Sequence, residues 1–457
     1  MYTSNDPHTF GIGPKAYPIL GHASHLLRNP IPYLSELAHH GDLVEVRLGN
    51  LPVYVPCHPT LIRTVLAEDG IWDKSGWFWE KLRGLAGSGV AGAPHAVHRR
   101  QRRLMQPSFS RGRVSEYAAI MTEEAVALQS RWSEGQLIEP FQELQRYALR
   151  TVIRSLLAPV AKEEHVETVR NWMELADGTG VVRALLPPAL KNIPTSGNRE
   201  FRDENAAVWA VADDLVEEAR RARKRGEERT DMLAVYVAAQ DDQGMEAVGG
   251  AHARDQVMSL LIAGSETVST SISWTFCLLA QNPELERKLH EEVDTVLGGR
   301  PARMEDLARL PFTLRTVTET LRMFPATYLL PRRLSADVEM AGRTLPAGSV
   351  FVFSPYVVQR NARYFDEPHR FDPDRWLPER ATPQHRQAYI PFAYGARKCI
   401  GDHFALTEAV LLLATFAANW RLRLPDGETP SAAWPAITAH PSQQKLQLSR
   451  RGQAATR

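Results

Sequence analysis

Apolar residues recur at three- and four-residue spacing over four long stretches. They are "VSEYAAIMTEEAVALQSRW" (114–132), "ENAAVWAVADDLVEEARRARKR" (204–225), "DQVMSLLIAGSETVSTSISWTFCLLAQ" (255–281) and "PFTLRTVTETLRMF" (311–324). That period predicts helices. Two other stretches read as strands. "LVEVRLGNLPVYVP" (43–56) alternates like a hairpin, and "VEMAGRTLPAGSVFVFSPY" (338–356) carries turns at Ala341-Gly342 and Pro346-Ala347-Gly348. Most of the sequence between them is helical, so strands far apart in the chain are expected to pair into one small sheet. The fold class that follows is mainly α, a large helical unit with a small β-rich portion. No repeat and no linker composition is visible, so a single domain over residues 1–457 is expected.

The bulk numbers narrow the function classes. With 44% hydrophobic and 23% charged residues, the chain can bury a large cofactor. A net charge of +1 gives no global field for nucleic acid. Three cysteines argue against a disulfide framework and for a reducing compartment. The N-terminus lacks a basic segment followed by an apolar run, and "AVLLLATFAANW" (409–420) is too short to span a bilayer. A cytoplasmic protein without a membrane span is expected.

One cysteine stands out, in "PFAYGARKCIG" (391–401). Gly395 can take a positive φ and turn the chain tightly before the thiol. Arg397 and the N–H groups that follow favour a thiolate. Leu406, Val410, Leu413, Ala414 and Ala417 then set a helical period directly after it. Such a thiolate suits a nucleophile, a redox thiol or a metal ligand; a lone cysteine can equally just fill space. No second cysteine lies nearby, which argues against a dithiol or a tetrahedral zinc site. The run Phe392-x-x-Gly395-x-Arg397-x-Cys399-x-Gly401 resembles the haem-ligand signature of the cytochrome P450 family. The resemblance implies the cytochrome P450 fold, with Cys399 as the axial thiolate of haem b (iron protoporphyrin IX), pushing electron density towards O–O cleavage. It also places Phe392 and Gly401 against the macrocycle.

Three further segments extend the resemblance over nearly the whole chain. "ETLR" sets Glu319 and Arg322 at i, i+3, and "FDPDRW" supplies Arg375. In the family these form a buried trio that acts as scaffold. "AGSETV" (263–268) puts Gly264 inside a helix, at a cost of about 1 kcal/mol against alanine, beside an acid and a hydroxyl. From the residues alone, a solvent-facing Glu266 next to a tolerated Thr267 is as good a reading. The resemblance instead implies a kink at Gly264 over the haem and a proton relay through Glu266 and Thr267. Val268 stands where the family often has Thr or Ser. In "HAVHRRQRRLMQPSF" (95–109), His98 and Arg102 share a helix face. With Arg332 and Arg397, they are the implied partners of the haem propionates. Arg99, Arg100, Arg103 and Lys398 are read as a basic face for an acidic electron donor. "GSGVAG" (87–92) matches G-x-G-x-x-G, but helix-like sequence precedes it and Pro94 follows, so no dinucleotide site is expected. The aromatics of "WDKSGWFWE" (72–80), together with "ATYLLP" (326–331), point to an apolar pocket, although they suit a core as well. Cys57 and Cys277 read as packing residues.

The chain is thus similar to soluble bacterial P450 monooxygenases, in its N-terminal and cysteine-loop sequences most of all to terpenoid-oxidising ones. That implies O2, an apolar small molecule to hydroxylate or epoxidise, and a separate ferredoxin-type donor with an NAD(P)H reductase, since no reductase domain is seen. Two alternatives remain. A peroxygenase or haem isomerase would commonly lack the acid–alcohol pair, and a non-catalytic haem sensor would usually carry an output domain.

Overall fold

The computed structural model of the chain describes residues 8–28, 30–177, 193–248, 250, 252–425, 428–433, 436 and 438–452. Residues 1–7, on which the reading of the N-terminus partly rests, lie outside them. Contacts divide the chain into two compact units, one running to Glu80 and again over Leu321–Cys399, the other Lys81–Thr320 with Ile400–Arg457. This is a finer division than the single domain read from the absence of a linker. Two of its boundaries fall inside the helices Trp77–Ala86 and Pro311–Met323, where no loop-like composition marks them.

The first unit is built on a six-stranded sheet. Its strands run in the order Phe10–Ile12, Leu43–Leu48, Leu51–Pro56, Val350–Phe353, Leu330–Leu334 and Trp72–Asp73. The hairpin is where the alternation put it, with Val46 opposite Val53 and Gly49 at φ 61° in the turn. The distant pairing is also present: Val53 aligns with Val350 and Tyr54 with Phe351, in parallel. A two-stranded ribbon, Val338–Met340 with Arg343–Leu345, turns at Ala341 and Gly342, both at positive φ. Trp72 and Phe351 meet edge to face at 4.4 Å in the core under the large sheet.

The second unit is helical. All four helices read from the periodicity are present, as Arg111–Gln129, Ser196–Lys224 and Ala253–Gln281 in this unit and Pro311–Met323 across the boundary at Thr320. The helix after the cysteine runs Asp402–Ala417 and is buried on nearly every side. The central helix, Ala253–Gln281, is buried too, although its sequence is rich in hydroxyls. Ser265, Thr267, Ser269, Ser271 and Thr275 each donate to the carbonyl four residues back, which satisfies the hydroxyls without a partner helix.

The central helix continues through Gly264 without a break. What demands glycine there is close packing. A Cβ at that position would lie 2.5 Å from Val152 Cγ2, on the helix Pro140–Val152. Gly264→Ala is expected to cost about 1–2 kcal/mol in chemical denaturation, against a helix propensity that alone would stabilise it by about 1 kcal/mol. Val152→Ala in the same chain should recover much of the loss, and additive costs in that double mutant would refute the contact.

Candidate functional site

In the first unit the cysteine loop is bent by Ala393 (φ 57°) and Gly395 (φ 72°). The Cys399 N–H donates to the Phe392 carbonyl at 2.9 Å, and the Lys398 N–H to the Gly395 carbonyl at 3.0 Å. A Cβ on Gly395 would strike the Leu66 carbonyl and Ala67, so both the dihedral and the space call for glycine. Cys399 is exposed, whereas Cys57 and Cys277 are buried and their thiols are pushed up by burial.

Two buried cations and one half-buried cation gather beside this loop. Arg397 bonds Asp69 through Nε and Asp73 through Nη2, each at 3.1 Å. Arg332, 3% exposed, is lowered to about 9, by burial first and by Arg397 second, against the opposing charges of Asp73 and Asp69. Lys74 places its ammonium 4.9 Å above the Trp79 ring. Burial, then Arg332 and Arg397, hold that ammonium well below its usual range, while Cys399 and Asp73 act the other way. Three cations around two aspartates, next to an exposed soft sulfur, suit an iron porphyrin that brings two carboxylates of its own. Lys74 was missed in the sequence, where its stretch was read for aromatics. Those aromatics divide in the structure: Trp72 is core, Trp79 covers Lys74 and Trp77 is 49% exposed.

Arg322 and Arg375 are buried. Arg322 donates to the carbonyls of Gln359 and Pro368, and Arg375 to those of Asp366 and Glu367. Both guanidiniums lie over Phe365, at 5.1 and 6.0 Å. Glu319, in the second unit, is fully buried.

A different cluster in the first unit, His8, Asp42 and His58, brings three potential ligand atoms within 4.8 Å of one another. Its chemistry does not suit a cation. The Asp42 carboxylate accepts from Arg363 at 2.9 Å and from the Thr9 N–H. His58 Nδ1 accepts the Thr60 N–H, which puts the ring proton on Nε2 and withholds that atom from a metal.

In the second unit, the central helix carries the acid and the alcohol, but their side chains diverge. Adjacent residues on a helix point about 100° apart. The Thr267 hydroxyl turns to the Ala263 carbonyl at 2.7 Å. Glu266, 1% exposed, turns inward, accepting from Gln145 Nε2 at 2.6 Å and from the Thr438 hydroxyl at 3.3 Å. Its carboxyl is raised to about 7, by burial first and the Asp177 charge second, against His440 and the two hydrogen bonds. The solvent-facing reading of Glu266 is therefore wrong. Gln145 and Thr438 lie 121 and 172 residues away, and nothing in the sequence pointed to them.

His98 is buried on the helix His95–Met105, while Arg102 on the same helix donates to Gln106 at 3.1 Å. Arg99, Arg100 and Arg103 are exposed, and Arg100 pairs with Glu246 at 3.3 Å. Gly401 caps the helix Asp402–Ala417, and a Cβ there would meet nothing closer than Phe109 at 3.6 Å. Protein packing does not require that glycine. The "GSGVAG" loop follows the helix Trp77–Ala86 rather than a strand. It is tied to the central helix by Val90 N–H to Gln256 at 2.9 Å, and a Cβ at Gly89 would strike Ser259 and the Asp255 carbonyl.

Known proteins give the same picture. The family profile described as Cytochrome P450 matches residues 12–448. The chain is 41% identical to the pentalenene oxygenase of Streptomyces avermitilis, over 97% of this chain and 98% of that protein. It is 38% identical to the cyclooctatin synthase of Streptomyces melanosporofaciens, over 96% and 97%. To the cyclooctat-9-en-7-ol 5-monooxygenase of the same organism it is 36% identical, over 93% and 92%. Because these matches span both units rather than the cysteine loop alone, the chain belongs to the cytochrome P450 family and is one of its haem-thiolate monooxygenases.

Proposed function

We propose that this monooxygenase holds haem b on the Cys399 thiolate and hydroxylates or epoxidises a terpenoid, or another apolar secondary metabolite. Family membership already carries a haem-thiolate cofactor, O2, redox partners and an apolar substrate. The terpenoid class is supported by the pentalenene oxygenase at 41% identity. The site is supported by one observation above all: an exposed thiol beside the buried Arg332 and Arg397 and the half-buried Lys74.

When bound, the haem supplies O2 activation and the insertion of one oxygen atom into a C–H or C=C bond. The chain's residues do the rest. Cys399 donates electron density as a thiolate, with its loop locked by Gly395. Arg332, Arg397 and Lys74 neutralise the propionates; His98 and Arg102 are assigned to the same partner by the family resemblance, as are Phe392, Gly264 and Gly401 to the macrocycle. Glu266 is the proton source, since an acid raised to about 7 is protonated below that pH and able to give its proton there. Thr267 holds a proton at the oxygen site. Because the two side chains diverge, a proton leaving Glu266 reaches Thr267 by rotation of the carboxyl or through a bridging water. The trio Glu319, Arg322 and Arg375 is scaffold. Electrons come from a ferredoxin-type donor, fed by an NAD(P)H reductase, to which the exposed Arg99 and Arg103 of the second unit offer a basic face. A chain with only three cysteines favours a reducing compartment, the cytoplasm.

Cys399→Ser should abolish the red-shifted Soret band of the reduced, CO-bound protein; an unchanged band would refute Cys399 as the residue that holds the iron. Lys74→Met should speed haem transfer to an excess of apomyoglobin by roughly tenfold, the loss of one charge-assisted bond, and an unaltered rate would refute its place beside a propionate. Thr267→Ala should release peroxide at the expense of product. In the wild type, product formed per NAD(P)H consumed should fall as pH rises through about 7, as Glu266 ionises; a flat profile would count against the acid.

A further inference from the structure

Glu266 sits in surroundings that the proposed reaction does not by itself explain. The loop 438–440 is fixed against the helices of the second unit at each of its three residues. The Thr438 hydroxyl shares a hydrogen bond with the Thr270 hydroxyl at 2.6 Å and reaches Glu266 at 3.3 Å. The Ala439 carbonyl accepts the Trp274 indole N–H at 2.6 Å. The His440 ring stacks on Phe141 at 3.9 Å, nearly parallel, with Nδ1 facing the Pro441 carbonyl at 3.0 Å and Nε2 on Asp177 at 2.5 Å. Exposure rises outward along this set: Glu266 is 1% exposed, while the His440 and Asp177 side chains are at 10% and 16%.

The charged groups acting on Glu266 are Asp177 and His440, and the neutral Gln145 and Thr438 are hydrogen-bonded to it. The two charges act in opposite senses. Asp177 disfavours the Glu266 carboxylate and His440 favours it. His440 is itself held protonated above its usual range: burial works against the charge, but the bond and the charge of Asp177 outweigh it. A salt bridge serving only to anchor a loop has no need to stand beside a buried acid.

We propose that Asp177 and His440 are positioning residues for Glu266: the ion pair they form at the 438–440 loop decides when that carboxyl holds its proton and when it releases it, and so when the reaction is supplied. This rests on the reading of Glu266 as the proton source. The pair acts on Glu266 through its charges. It works by setting the charge around one carboxyl whose remaining bonds, to Gln145 and Thr438, fix its direction.

The test is a pH titration of the resting ferric holoenzyme by difference infrared spectroscopy. It follows the carbonyl band of the protonated buried carboxyl, identified by its disappearance in Glu266→Gln. His440→Gln leaves the Asp177 charge uncompensated and should raise the midpoint by about one pH unit. Asp177→Asn removes the stronger of the two opposing charges and should lower it. Should His440→Gln fail to fold, His440→Phe keeps the stack on Phe141 while removing the same charge, and Asp177→Ser serves likewise for the other partner. Midpoints that part in opposite directions support the inference. Midpoints that stay put, or move the same way in both variants, overturn it, whatever happens to turnover. Coupling of NAD(P)H to product, measured across pH in the same variants, tests the underlying reading separately. If the midpoints part and coupling ignores them, the ion pair governs Glu266 but Glu266 is not the proton source.

Discussion

Gly395, at φ 72°, lies so close to the Leu66 carbonyl that no side chain fits, and this contact sets the path of the cysteine loop. With Gly395 seated against the end of the helix Pro59–Ala67, the Cys399 N–H comes back onto the Phe392 carbonyl. The thiol is then presented outward on a backbone that makes its own hydrogen bonds. A ligand to a metal needs this kind of rigidity, because any freedom in the loop is lost on binding and weakens the bond. Arg397, two residues before the sulfur, fastens the same loop sideways to Asp69 and Asp73.

The cations around the loop follow a related logic. Burying Arg332, Arg397 and Lys74 together is unfavourable, since each disfavours the charge of the others as burial already does. Asp69 and Asp73 offset part of that cost. On the proposed reading the remainder is a binding energy held ready for an anion, which the carboxylates of a bound porphyrin would supply. The same principle, with the sign reversed, governs the second unit. There a buried acid is kept near neutrality by burial and an anion, while a cation and two hydrogen bonds pull it back.

The central helix shows how polar residues enter a core without a partner. Ser265, Thr267, Ser269, Ser271 and Thr275 back-bond along their own helix, so these hydroxyls need no partner from another element. Against that background the inward-turned Glu266 is conspicuous, because a carboxylate has no such local solution. Its bonds must come from elsewhere in the fold, and they do, from Gln145 and Thr438.

Much of this was legible in the chain alone. Helical and strand periods are local properties, so the four long helices, the hairpin and the helix after Cys399 could be read off directly. So could the cysteine loop, because its glycines, arginine and thiol all lie within ten residues and act on one another through the backbone. The tertiary structure decided what depends on neighbours brought together through space. It placed Lys74 with Arg332 and Arg397, set Val152 against Gly264, and turned Glu266 away from Thr267 towards a loop near the C-terminus. No periodicity records which distant side chain will face a buried charge; only the packed fold fixes that distance, and electrostatic and steric effects depend on it directly.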